Sequence, residues 1–246
     1  QYPVGQEFNP DTMRFEMTSF LDVALSPFAI NKFTHTVTSS WIVGAAFVVA
    51  VSCWYLYKKR HQELAISSIK IGACVGLIAT LLAAMTGDNS AYKVAQVQPM
   101  KLAAMEALYN GGESEGLTVI AAVTPFQQAD FEQEKEPALR IAFPNALSFL
   151  ATRSMNGYVP GVNDILNGYQ KADGTQEPSV EEKIARGKKA IVALKTYRSK
   201  EGKEKELAKK DIQENMQYFG YGYIKDKKDL VPSIPICFYA FRVMVG

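Results

Sequence analysis

The chain has 246 residues, with 27 lysines and arginines against 25 aspartates and glutamates, so its formal net charge is only +2. This balance gives no reason to expect nucleic acid as a partner. The sequence contains no phosphate-binding loop, no Cys-x-x-Cys pair, no zinc-ligand spacing and no nucleophile elbow, which excludes the enzyme classes that those motifs define.

The first ninety or so residues are the most apolar part of the chain. A lead-in over 1–26 contains NPDTMRFEMTSFLDVAL, which predicts a short amphipathic helix. Residues 27–87 then hold two apolar stretches, and the first has no charged side chain from Thr36 to Tyr57. A bilayer core needs roughly 20 apolar residues in a helix, so this stretch predicts a transmembrane helix.

The second apolar stretch runs from Leu64 to Gly87 and carries one charge, Lys70, near its start. Its small residues Gly72, Ala73 and Gly76 would let a neighbouring helix approach closely. Two transmembrane helices are predicted from this pattern. The alternative that the pattern leaves open is a pair of buried core helices in a soluble protein.

A short basic turn near 58–63, with the sequence KKRHQE, separates the two apolar stretches. Short basic loops face the cytoplasm. This topology puts His35 toward the outer end of the first span and everything from Asp88 onward outside. The apolar segment 233–246 predicts the start of a third transmembrane helix, so 88–232 is expected to be one large external loop.

The external loop divides into an N-terminal part, 88–153, and a more charged C-terminal helical part, 154–232. The first part holds a short helix in KLAAMEALY and an extended stretch in LTVIAAVTP. The second holds an amphipathic helix in SVEEKIARGKKAIVALKTYR, with Ser179 as its cap, and a further helix in KELAKKDIQENMQYFGYGY that ends near Gly220.

Ionisable residues near membrane helices are functional candidates, because burying them is costly. His35 is either a metal or haem ligand or a histidine that forms hydrogen bonds near the interface; the sequence leaves both open. His61, in the basic turn, is predicted to be exposed to solvent. Met244 becomes interesting only if a histidine faces it, since histidine and methionine together hold low-spin haem iron.

Lys101 and Glu106 lie five residues apart, so on a helix their directions differ by about 140° and they do not form a simple ion pair. One interpretation is an ordinary amphipathic surface helix. The other is a pocket for a neutral, redox-active ring, in which the lysine hydrogen-bonds a ring oxygen and the carboxylate accepts a proton.

The sequence also resembles a known family, in several blocks that run in the same order through most of the chain. GD-x-S-x-Y at 87–92 and VQPMKLAAMEA at 97–107 resemble the start of the quinol-binding loop of cytochrome bd quinol oxidase subunit I. The further blocks are FNPDTMRFEMTSF (8–20), KFTHTV (32–37), IAFPNALSFLATRS (141–154), YFGYGY (218–223) and FYAFRVMV (238–245).

This resemblance implies an all-α membrane protein, with two complete transmembrane helices, the start of a third and the large external loop between the second and third. It implies that His35 and Met244 are the axial ligands of a low-spin b haem, with Arg242 beside that haem. Lys101 and Glu106 resemble the pair that binds and oxidises quinol. A high-spin haem b and a haem d are expected in the full subunit, without ligands in this chain.

The implied function is a quinol oxidase with oxygen as the final acceptor, in the bacterial cytoplasmic membrane. Its implied partners are quinol, the lipid bilayer, subunit II of the oxidase and small accessory subunits, with no nucleic acid. The sequence is expected to be a central fragment of that subunit that is inactive alone. The rival hypothesis is a membrane sensor or structural protein, without enzyme activity, that binds a ligand in its external loop.

Overall fold

A computed structural model describes residues 4–9, 12–123, 139–171 and 173–245 of the chain. These residues are mostly helical and divide into two compact units. We call residues 18–93 the helix pair, and residues 6–17 together with 94–246 the loop unit.

Helices account for most of the described residues. They are α1 (Phe20–Ala24), α2 (Pro27–Tyr57), α3 (Gln62–Val97), α4 (Pro99–Glu106), α5 (Ala146–Thr152), α6 (Val162–Asn167), α7 (Val180–Ser199), α8 (Lys203–Asn215) and α9 (Ile234–Val245), with 3₁₀ segments at Met216–Tyr223 and Lys227–Leu230. The strands form two-stranded antiparallel sheets from β1 (Gln6–Asn9) and β2 (Arg14–Met17), β3 (Leu117–Ala121) and β4 (Arg140–Phe143), and β5 (Tyr169–Gln170) and β6 (Gln176–Glu177).

Small side chains allow α2 and α3 to pack closely in the helix pair. A Cβ added at Gly72 would lie 3.0 Å from Val49 Cγ2, and one added at Gly76 would lie 3.2 Å from the Cβ of Ala45. Ala45 itself is buried at 6% exposure. The prediction that Gly72 and Gly76 admit a close neighbour is therefore confirmed.

Both long helices expose their apolar surface. Within the most apolar 18-residue windows of α2 and α3, only 17% and 11% of the residues are buried by the protein itself. The core helix of a soluble protein would bury most of such a window. Both helices have the length and composition to cross a membrane, and lipid is the environment that suits their exposed side chains.

The lead-in does not form the helix predicted for it. Strands β1 and β2 pair there, with Phe8 opposite Phe15 and their ring centroids 5.4 Å apart. Met13, just before β2, has a φ of 53° in the left-handed region. Helix is confined to α1, capped by the Ser19 hydroxyl accepting from Asp22 N. Residues 10 and 11 lie outside the described part.

The fold is therefore mainly helical rather than purely so. β3 and β4 pair in the loop unit with a register shift between Thr118 and Ile120. β3 confirms the extended stretch predicted in LTVIAAVTP, although Thr124 and Pro125 at its end lie outside the described residues. Strands form here because β-branched residues fit an extended, half-buried surface.

The core of the loop unit brings α4, α6, α7 and α9 together. Ala103 and Ala104 of α4 are fully buried, and Phe238 of α9 is 1% exposed in the same cluster. The small residues of α4 allow this close approach, because an alanine adds little bulk between the helix axes. Helix α4 is consequently fixed against α9 along its inner face.

The charged half of the loop contains the predicted amphipathic helix. Helix α7 begins after Ser179, whose hydroxyl accepts from Glu182 N at 3.2 Å, so the predicted cap is confirmed. The second predicted helix stops earlier than expected. It ends as α8 at Asn215, and the chain continues as a 3₁₀ segment through Tyr223.

Replacing Gly187 by alanine is expected to destabilise the loop unit by about 1–3 kcal/mol, the usual cost of overpacking. A Cβ there would overlap main-chain atoms of Gly222 and Tyr218, and main chain cannot rotate away. Gly220→Ala is the matched control, since nothing lies within 4 Å of a Cβ at Gly220. Thermal unfolding of the two variants measures the difference, and equal midpoints would contradict this packing.

Candidate functional site

His35 lies in α2 and is half-buried within the helix pair. Its Nδ1 atom is 2.9 Å from the hydroxyl oxygen of Thr86 in α3. The other ring nitrogen, Nε2, has no hydrogen-bond partner among the described residues. His35 and Thr86 lie about equally far from the basic turn. The antiparallel packing of α2 and α3 therefore places them side by side.

Glu106 and Arg242 form an ion pair within the loop unit. Arg242 Nη2 of α9 donates to Glu106 Oε2 of α4 at 2.5 Å. The side chain of Glu106 is 2% exposed and that of Arg242 is 19% exposed. Charge-assisted bonds of this length are among the stronger hydrogen bonds in proteins, so the pair ties α4 to α9.

Two opposing influences set the pKa of the Glu106 carboxyl. Burial raises the pKa, because a carboxylate loses its hydration, while the charge and hydrogen bond of Arg242 and a main-chain hydrogen bond from Thr118 lower it, and burial outweighs them. Glu106 is also the last residue of α4, where the helix dipole disfavours negative charge. A carboxylate in this position is locally unfavourable, which is typical of a functional or specifically paired residue.

Helix α9 has a second attachment to the loop unit. The Tyr239 hydroxyl donates to the carbonyl oxygen of Val123 at 2.7 Å and accepts from its amide at 3.1 Å. The Arg242 guanidinium also lies over two aromatic rings, 5.0 Å from the centroid of Phe238 and 5.2 Å from that of Phe241. Tyr239 and Arg242 thus both hold α9 in place within the loop unit.

Lys101 lies on the exposed side of α4. Among the described residues its ammonium group makes no hydrogen bond or ion pair, whereas Glu106 is paired with Arg242. The structure therefore brings Glu106 together with Arg242, and does not bring Lys101 into contact with Glu106. This agrees with the angle of about 140° expected between positions five apart on a helix.

Met244 follows Arg242 on α9 and is 74% exposed. Arg242 Nε is buried without a hydrogen-bond partner among the described residues. Those residues contain no cluster of three or more His, Cys, Asp or Glu side chains able to hold a metal ion. The helix pair thus offers an imidazole nitrogen, and the loop unit offers an exposed thioether and an unsatisfied guanidinium nitrogen. Imidazole and thioether are groups that hold low-spin haem iron.

Sequence reasoning missed the pairing of Glu106 with Arg242, which lie 136 residues apart. The sequence indicated only that each residue needs a partner, because each is a charge in an apolar segment without an opposite charge at helical spacing. It also missed Thr86 as the neighbour of His35. Counting residues outward from the basic turn would have found that contact.

The two long, apolar and largely exposed helices α2 and α3 are typical of a helical membrane protein, and the separate loop unit holds the buried ion pair between Glu106 and Arg242. The sequence model of the family described as cytochrome bd terminal oxidase subunit I matches residues 1–246, and the chain belongs to this family.

Individual relatives agree with the family. The chain is 33% identical over 258 residues to cytochrome bd-II ubiquinol oxidase subunit 1 of Escherichia coli strain K12, covering 100% of this chain and 48% of that protein. It is 33% identical over 174 residues to cytochrome bd ubiquinol oxidase subunit 1 of Bacillus subtilis strain 168, covering 71% and 36%. The chain spans about half the length, or less, of these curated relatives.

A solved structure shows the same fold. The bd oxidase from Geobacillus thermodenitrificans matches with a TM-score of 0.56 and 19% identity, over 99% of this chain and 52% of that one. At this identity the likeness establishes the fold alone.

Proposed function

We propose that this chain forms the quinol-oxidising part of a cytochrome bd-type quinol:oxygen oxidoreductase, with a low-spin b haem held by His35 and Met244. The observation that carries the proposal is the ion pair between Glu106 and Arg242. It joins α4, which bears both quinol-site candidates, to α9, which bears Met244. A quinol site and an electron acceptor must lie close together for electrons to pass, and this bond supplies a direct link.

The haem would bind to groups that have no partner among the described residues. His35 offers Nε2 and Met244 offers an exposed thioether. Arg242, whose Nη2 is already bonded to Glu106, offers the hydrogen on Nε to a haem carboxylate. A haem held by His35 and Met244 would accept the two electrons of the quinol one at a time.

The chain's own residues handle the protons and the position of the quinol. Oxidation of a quinol to a quinone releases two protons and two electrons. Lys101 donates a hydrogen bond to a ring oxygen and orients the ring, as its exposed ammonium group allows. Glu106 accepts a proton on its carboxylate, because burial raises the pKa of that carboxyl and favours its neutral form.

The proposed function includes a membrane topology and a set of partner subunits. The basic turn faces the cytoplasm, residues 88–232 face outward, and α9 is the start of a third span. Oxygen reduction takes place at a high-spin haem b and a haem d held by residues outside this chain, because His61, the only other histidine, lies in the basic turn. Subunit II and small accessory subunits complete the assembly in the bacterial cytoplasmic membrane.

Replacing Lys101 by alanine tests the quinol site. We expect kcat/KM for quinol to fall about 10- to 100-fold, which corresponds to losing one hydrogen bond from a charged donor. The haem spectrum should not change, because Lys101 is exposed and makes no hydrogen bond or ion pair among the described residues. Steady-state quinol oxidation by the protein isolated from membranes measures the effect.

Lys195→Ala is the control for Lys101→Ala. Lys195 is also an exposed helical lysine, but it belongs to α7. Its replacement should leave quinol oxidation at the wild-type rate. If both variants oxidise quinol at the wild-type rate, Lys101 does not belong to the quinol site.

A further inference from the structure

The contact between His35 and Thr86 determines which nitrogen of the imidazole carries hydrogen. The Thr86 hydroxyl lies 2.9 Å from the carbonyl oxygen of Leu82 and 3.1 Å from that of Ala83, and donates toward these main-chain acceptors in its own helix. A hydroxyl has a single hydrogen to donate. Its oxygen therefore serves as the acceptor toward His35, and the hydrogen of that contact belongs to Nδ1.

We propose that Thr86 is a positioning residue that holds His35 in the tautomer with hydrogen on Nδ1, which leaves the Nε2 lone pair free to bind haem iron. The inference rests on the proposed role of His35 as a haem ligand and adds the group that prepares it. In a neutral imidazole one nitrogen donates and the other accepts. Hydrogen bonding of the non-ligating nitrogen fixes the orientation of the ring and raises its basicity as a ligand.

Thr86 is itself held in place by a polar network between the two helices. Asn31, which lies one turn before His35 and is 8% exposed, donates from Nδ2 to Thr86 O at 3.3 Å and to Ser90 Oγ at 2.5 Å. Asn89 Nδ2 in turn donates to Asn31 Oδ1 at 2.9 Å. Buried polar groups joined in this way fix the register of two helices. The Thr86 hydroxyl oxygen is therefore held beside the imidazole of His35.

The opposite tautomer of His35 is incompatible with the hydrogen bonds that the Thr86 hydroxyl donates within α3. With hydrogen on Nε2, Nδ1 becomes an acceptor, and the Thr86 hydroxyl would have to turn away from both main-chain carbonyls to donate to it. Nε2 would then carry a hydrogen and could not bind iron. The hydroxyl of Thr86 thus selects the form of His35 that is able to act as a ligand.

Thr86→Val and Thr86→Ser in the protein isolated from membranes test the inference. Valine keeps the shape of threonine but removes the acceptor, whereas serine keeps the hydroxyl. A redox titration followed at the b-haem absorbance should show a more positive midpoint potential for Thr86→Val, because a less basic imidazole stabilises ferric iron less. Haem retention on dilution should weaken roughly 10- to 100-fold, and Thr86→Ser should match the wild type.

Thr80→Val controls for the loss of a threonine hydroxyl from α3. Thr80 Oγ1 donates to Gly76 O at 2.8 Å, the same kind of bond within the helix, but it has no histidine beside it. This variant should keep the wild-type potential. An equal shift in Thr80→Val and Thr86→Val, or in Thr86→Ser and Thr86→Val, would overturn the inference, because packing rather than the hydrogen bond would then explain it.

The remaining outcomes separate this inference from the proposed function. Suppose that Thr86→Val keeps the wild-type potential and haem retention while His35→Ala loses haem. Thr86 would then have no positioning role, and His35 would remain the ligand. Retention of the low-spin haem in His35→Ala would remove the ligand assignment itself. Complete loss of haem in Thr86→Val beside a haem-replete Thr86→Ser protein would support the inference in a stronger form.

Discussion

Replacing His35 by alanine is expected to abolish the low-spin b-haem signal in the reduced-minus-oxidised visible spectrum. Alanine has no group that can bind iron, and a thioether alone is a weak axial ligand. The protein should still fold, because the small-residue contacts of Gly72 and Gly76 with α2 do not involve His35. Spectra of the protein isolated from membranes, normalised to protein content, measure the loss.

His61→Ala is the matched control for His35→Ala. His61 is the other of the two histidines in the chain and is exposed in the basic turn. Its replacement should leave the b-haem signal unchanged. If His35→Ala keeps the signal, or if His61→Ala loses it instead, the ligand assignment is wrong.

Replacing Glu106 by alanine is expected to lower both stability and quinol oxidation. The change leaves Arg242 partly buried without its carboxylate, and breaking such a pair costs about 3 kcal/mol or more. The loop unit should unfold at a lower temperature, as a thermal melt of the isolated protein would show.

Glu106→Gln separates the structural role of Glu106 from its role in proton transfer. Glutamine keeps the shape of the side chain and an acceptor oxygen for Arg242 Nη2, but it cannot take up the quinol proton. General-base groups contribute roughly 10²- to 10⁴-fold to rates, so we expect quinol oxidation to fall at least about 100-fold while the haem spectrum persists. A Glu106→Gln protein that oxidises quinol at the wild-type rate would show that Glu106 only joins α4 to α9.

Local patterns in the sequence were sufficient to predict most of the helices. The uncharged stretch from Thr36 to Tyr57 lies within α2, and the serine followed by acidic residues at 179–182 begins α7. Such features depend on residues that are close in sequence, where periodicity and capping act directly. The same reasoning failed over the first half of 9–25, where β1 and β2 pair, with Phe8 opposite Phe15, instead of the predicted helix.

The contact between α4 and α9 could not be predicted from these local patterns. Arg242 was assigned by resemblance to the haem and Glu106 to the quinol, yet their side chains form one ion pair. Nothing in the local sequence of α4 or α9 specifies this partner, because the choice depends on how the two helices pack. The roles of His35, Met244, Lys101, Glu106 and Arg242 in binding haem and quinol stay predictions.

We propose that quinol delivers electrons to a b haem held by His35 and Met244. The visible spectrum of the anaerobic protein, isolated from membranes and recorded before and after addition of a reduced quinol, tests this directly. We expect a low-spin b-haem signal that develops with quinol, is absent in His35→Ala and develops much more slowly in Glu106→Gln. A protein without this signal, or a signal that quinol does not produce, would contradict it.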